Sequence, residues 1–119
     1  MRRVLEDNRL IRIKSRLKQI SMLYQLAFNV DGANTNLQKL KKDLNFANDE
    51  KELINCCGEI AKAIACLRLM QNNESIKDVC LKIENNLKQV FIQMRDLIKD
   101  EFRTIRNRNN RLPELEQYL

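Results

Sequence analysis

The run from Leu53 to Met70, LINCCGEIAKAIACLRLM, decides how the rest of the chain is read. Leu53, Cys57, Ile60, Ile64 and Leu67 recur at the four-three spacing of one helical face. Ile54, Ala61, Ala65 and Met70 add apolar positions on the flanking arcs, so apolar surface wraps round most of the helix. Such a helix belongs inside a fold rather than on its surface. It is not a membrane span, because Glu59, Lys62 and Arg68 interrupt it and a bilayer needs about 20 consecutive apolar residues. Gly58, Ala61, Ala63 and Ala65 are small enough to admit close neighbours. The stretch is therefore the expected hub of a helical bundle.

Upstream, Leu10, Ile13, Leu17, Ile20, Tyr24 and Ala27 predict a helix from 2 to about 29, with Leu23 and Leu26 widening its seam. Arg9, Arg12, Arg16 and Lys18 occupy its other face, either as a solvated surface or as a basic patch. Asp31-Gly32 is a turn signal, and Asn34 or Thr35 can cap a second helix over 36 to 45. There Leu37, Leu40 and Leu44 point inward and Lys39, Lys41 and Lys42 outward. Asn48 is the expected N-cap of the hub helix, with Asp49, Glu50 and Glu52 favourably placed in its first turn.

Downstream, Gln71 to Ser75 reads as a loop and Asn73 as a cap. Ile76, Cys80, Ile83, Leu87, Val90, Met94 and Leu97 then predict a long helix to about 107, with Phe91, Ile98 and Phe102 beside the seam. The chain turns polar from Asn107. Pro113 can open a last short turn, to which Leu112, Leu115, Tyr118 and Leu119 give an apolar side.

Two glycines, one proline and 5% aromatic residues argue against a β architecture, whereas 32% charged residues fit helices. The expectation is an all-α, compact bundle of four to five helices with a long C-terminal helix. Residues 1–110 form the domain and 111–119 a C-terminal tail, either free or folded as a short docking turn. The net charge of +6 and pI near 9.3 fit acidic partners, nucleic acid or peptide, and equally a basic domain that is simply soluble.

Cys56, Cys57, Cys66 and Cys80 all fall on apolar faces, with no CxxC pair and no histidine in the chain. They read as reduced core thiols of an intracellular protein, and no metal or cofactor site is expected. Nucleophilic catalysis needs a nucleophile beside an oriented base, which this inventory does not supply, so the chain reads as a non-enzyme. What remains is interaction surface. The segments Phe28–Thr35 and Leu69–Ile76 can meet at one pole, where Phe28, Val30, Leu69, Met70 and Ile76 either close the bundle's end or border an apolar cleft. Asp31 would stand at the rim of that cleft, with Lys62 and Arg68 one or two turns away.

The run GEIAKAIACLRLMQNNESIKDVCLKIENNLKQVFIQM, with RLIRIKSRLKQ upstream, resembles the integrase-binding domain of the lens epithelium-derived growth factor and hepatoma-derived growth factor-related family. That family is related in turn to the N-terminal domain of transcription elongation factor S-II. The resemblance covers about residues 8 to 98. It implies a right-handed bundle within a nuclear, chromatin-associated adaptor, binding acidic, phenylalanine-containing linear motifs of disordered partners at its interhelical loops. By position, Val30-Asp31 match the family's apolar-aspartate pair, Met70 and Ile76 the apolar pair of the later loop, and Lys62 and Arg68 its basic positions. Methionine stands at 70 where the family has phenylalanine, so the motif pocket is expected without integrase binding as such. Two other readings stand beside this one. In the first, Arg9, Arg12, Arg16, Arg103, Arg106, Arg108 and Arg111 bind nucleic acid non-specifically. In the second, the seams of the first and last helices pair two chains into a dimer.

Overall fold

In the computed structural model, which describes residues 7–28, 35–102 and 111–119 (side chains of 35 and 36 excepted), every regular element is helical. The elements are α1 (Asn8–Phe28), α2 (Thr35–Phe46), α3 (Glu50–Met70), α4 (Lys77–Phe102) and α5 (Leu112–Leu115), followed by a 3-10 turn over Glu116–Tyr118. The all-α bundle with a long late helix is what the periodicity predicts. The turn expected from the sequence at Asp31-Gly32 and the segment 103–110 lie outside the described residues, and with them Val30, Asn34, Arg103, Arg106 and Arg108.

α3 is the hub. It packs against α2, α4, α5 and the 3-10 turn, while α1 lies against α4 and α2. Its buried residues run from Ala63 and Cys56 through Ile60, Ile64 and Cys57 to Ala61, Ile54 and Gly58. At 100° per residue that arc covers roughly 220° of the helix. Its start is capped by Asp49 rather than Asn48: the Asp49 Oδ1 accepts from the Glu52 amide at 2.8 Å. Both residue types are good caps, and the helix begins one residue later than expected. Phe91, Leu87, Ile83 and Met94 of α4 are fully enclosed, and the α1 seam Leu10, Ile13, Leu17 and Ile20 is buried with them. These residues of both long seams are thus covered within one chain.

The helices alternate in direction. At the start of α1, Arg9 reaches three carboxylates: Asp100 at 2.7 Å, Glu101 at 2.8 Å and Asp7 at 3.1 Å. The first two belong to the end of α4, so α1 and α4 are antiparallel. Asp7 is buried, and its bonds from the Arg9 guanidinium and amide outweigh desolvation and hold its pKa down at about 2. Arg9, expected among phosphate-contacting residues, is instead a structural clamp.

Two further expectations, on Cys66 and Asn73, are corrected, and the tail has a position that the sequence leaves open. Cys66 is exposed, unlike the buried Cys56, Cys57 and Cys80; it lies on the arc opposite the α4 seam. The tail is seated on the domain, with Leu112 and Leu115 in the common core and the Leu115 side chain over Gly58. Asn73 does not cap α4. It accepts from the Ser75 amide at 3.1 Å and the Ser75 hydroxyl at 2.7 Å, which closes an Asx turn ahead of the helix.

Candidate functional site

Antiparallel α1 and α4, with the α3–α4 turn at the top of α4, bring the end of α1 to the same pole as residues 69–76. Tyr24, near the end of α1, feels groups of both neighbouring helices. Its phenol pKa is raised by burial first, and then by Cys66 of α3 and Cys80 of α4. At this pole Leu69 is 73% exposed, while Met70 and Ile76 are half-buried against the core edge. The turn between them is tied by Asn73 N–H to Met70 C=O and Ile76 N–H to Asn73 C=O, both at 3.1 Å.

The residues expected to form the pocket do not all come together. Phe28 is turned inward, only 9% exposed, with its ring 4.6 Å from that of Tyr24. It supports the pole from within and offers a partner little surface. Val30 and Asp31 lie outside the described residues. Lys62 and Arg68, six residues apart, project roughly 120° apart around α3, so one cleft cannot hold both. Lys62 is exposed and its charge is felt by Glu59 on the α2 side. Arg68 faces the other way and is engaged within the chain. One Nη donates to the Tyr118 carbonyl at 2.6 Å, and its Nε lies 3.5 Å from Glu84.

Glu84 was not singled out from the sequence, although it sits on the apolar seam between Cys80, Ile83 and Leu87. Only 4% exposed, it accepts from the Gln71 amide at 2.8 Å and pairs with Lys88 at 3.2 Å. Burial pushes its pKa up, but Gln71, Lys88 and Arg68 outweigh this and the net shift is downward. Glu84 thereby fixes the junction of α3, the turn and, through Arg68, the C-terminal tail.

A second carboxylate lies on the opposite flank of α3. Glu59 faces α2, and its Oε2 is buried without a hydrogen-bond partner among the described residues. Desolvation, then the neighbouring Asp43 carboxyl, raise its pKa to about 7 against the opposing pull of Lys39 and Lys62. No group of three or more metal-ligating side chains occurs among the described residues, and no described helix is long and apolar enough to cross a membrane. Cys56 and Cys57, whose thiols burial pushes well up, are poor nucleophiles near neutral pH. Comparison with protein-family models, with curated proteins and with solved structures returns no match.

Proposed function

We propose that the chain is a protein-interaction domain that binds short acidic segments carrying an apolar or phenylalanine anchor, the role implied by its resemblance to chromatin-associated nuclear adaptors. The observation that carries this reading is Leu69, nearly three-quarters exposed beside half-buried Met70 and Ile76 where the end of α1 and the α3–α4 turn converge. A large aliphatic side chain left in water next to a core edge is a natural anchor contact, and a basic protein attracts acidic flanks.

The test is fluorescence anisotropy of a labelled peptide in which one phenylalanine is flanked by aspartates and glutamates. Leu69→Ser, a surface change, should weaken binding about tenfold, as loss of an anchor contact does. Asp31→Asn tests the aspartate matched by resemblance, and should weaken binding without moving the melting temperature. Affinity unchanged in both variants would remove this pole from the binding surface.

A further inference from the structure

Each helix taken alone presents its lysines as a solvated outer face. Set side by side, α1 and α2 turn three of them toward a common hollow. Lys14 and Lys18 of α1 and Lys41 of α2 rim a groove of about 300 Å³, with Leu17 and Leu44 in its lining and Asn45 at one end. No carboxylate lines it, and among the described residues none of the three lysines has an ion-pair partner. Elsewhere the bundle treats charge differently: Arg9 has three acidic partners and Glu84 has two basic ones. Three cations converging without a counter-charge repel one another, and an acidic ligand relieves that repulsion.

The lining narrows the choice of ligand. The volume is at the low end for ligand sites, which run to about 1,000 Å³, so the groove suits an anchoring side chain better than a cofactor. Leu17 and Leu44 at its floor are 1% and 0% exposed, so the apolar surface that the groove offers is that of the lysine stems, which a free phosphate would not use. The groove also has no aromatic ring on which a nucleic-acid base could stack. Exposed apolar residues extend the same strip of α1 at both ends: Ile11, three residues before Lys14, is 53% exposed, and Met22, four after Lys18, is 56% exposed.

We infer that the α1–α2 groove is a docking site for an acidic peptide segment of a partner protein. One apolar side chain of that segment rests on the methylene stems of the lysines, above the buried Leu17 and Leu44, and its carboxylates pair with Lys14, Lys18 and Lys41. This deepens the function proposed above and rests on it for the class of partner. Lys18 lies about 15 Å along α1 from the helix's end, a span of about five extended residues. A single acidic segment of that length therefore spans from the groove to the end of α1.

The experiment uses the labelled acidic phenylalanine peptide, with amide chemical-shift mapping of the full chain. The variant K14E/K18E/K41E changes side chains at the surface only, and circular dichroism and melting verify its fold. A loss of about tenfold or more is expected, since each cation becomes repulsive. Binding should also weaken as salt rises, with shift changes at Asn45, Lys18 and Met22. A peptide with alanine in place of phenylalanine should bind more weakly; equal binding would reduce the groove to a patch of charge and overturn the docking of an anchor. If the charge-reversed variant binds within twofold of the parent while Leu69→Ser does not, the groove is refuted and the pole reading stands. Binding by the parent of neither the peptide nor its alanine form refutes both. A short DNA duplex that binds more tightly than the peptide and displaces it refutes the peptide groove in favour of nucleic acid.

Discussion

Glu84 on α4 and Glu59 on α3 both point carboxylates toward the interior, and the bundle treats them in opposite ways. Glu84, at the α3–α4 seam, receives Gln71, Lys88 and Arg68, and its pKa moves down. Glu59, at the α2–α3 seam, meets Asp43 and has an orphaned oxygen, and its pKa moves up to about 7. A buried carboxylate stabilises a seam only where bonds to its charged form exceed desolvation. The α3–α4 seam meets that condition and the α2–α3 seam does not. α2 carries a second unresolved electrostatic feature on its other flank, where Lys41 faces Lys14 and Lys18. Held chiefly by Leu37, Leu40, Leu44 and Ala47, α2 is the element of the bundle attached by apolar contact with charge working against it. By this argument local opening should be easiest there.

The strongest way to break this comparison is Glu84→Ala. Removing the carboxylate strands Gln71 and loosens Arg68, and should cost about 2 kcal/mol at neutral pH, as loss of charged hydrogen bonds does. The cost stays below that of a sealed ion pair because Arg68 and Lys88 retain access to water, at 40% and 25% side-chain exposure. Glu84 has a depressed pKa, so its contribution is present above the unfolded carboxyl range and is lost as pH falls through the lower folded value. Urea denaturation should therefore show the gap between parent and variant closing as the pH is taken down through 4. A gap that widened in acid would mean that the carboxylate is not held in its charged form.

The opposite sign is expected at Glu59. Its folded pKa lies above its unfolded one, so the site favours the protonated acid. Stability from this group is fully present below the unfolded value, near 4.5, and is lost as pH rises through about 7. Glu59→Gln keeps the neutral shape and should stabilise the protein by about 1 kcal/mol at pH 8, a figure reduced for the partial exposure of the pair. At pH 4 the gain should vanish. Asp43→Asn should act through the same repulsion, so the double variant should gain less than the sum of the two single ones. Additive gains would show that the two carboxyls do not interact.

How far the sequence reaches follows from these same residues. The hub was legible because apolar residues round most of a helix have one physical home. Glu84 was legible in principle, as a carboxylate among Cys80, Ile83 and Leu87. Its partners were not, because Arg68 and Gln71 precede it across a turn whose geometry no local pattern encodes. Arg68 read as an exposed base for the same reason, since the Tyr118 carbonyl that holds it lies fifty residues on. Glu59 and Asp43 look like ordinary surface acids until α2 and α3 are set side by side, and the Lys14–Lys18–Lys41 groove exists only after α1 and α2 are. Periodicity gives faces; which faces oppose one another is a tertiary fact.

The remaining flank of α3 sharpens the comparison with the smallest expected effect. Here α3 meets the tail, and the seam is closed by shape rather than charge. Gly58 interrupts a helix whose neighbours are Cys57 and Glu59, and its lack of a side chain suggests a close approach. A Cβ built there would instead meet Arg111 Nη2 at 3.6 Å, Arg111 Nη1 at 3.9 Å and Leu115 Cδ1 at 3.9 Å. These are ordinary van der Waals separations, and the two nearest belong to the end of a flexible side chain. Steric demand therefore does not require glycine, whereas helix propensity disfavours it by up to about 1 kcal/mol relative to alanine. Gly58→Ala should raise stability by about 0.5 kcal/mol, read as a small increase in the urea midpoint at unchanged slope. A decrease would mean that α5 sits closer to α3 than these distances allow. The tail would then depend on that glycine for its seat, as the two glutamates depend on their neighbours for their charge.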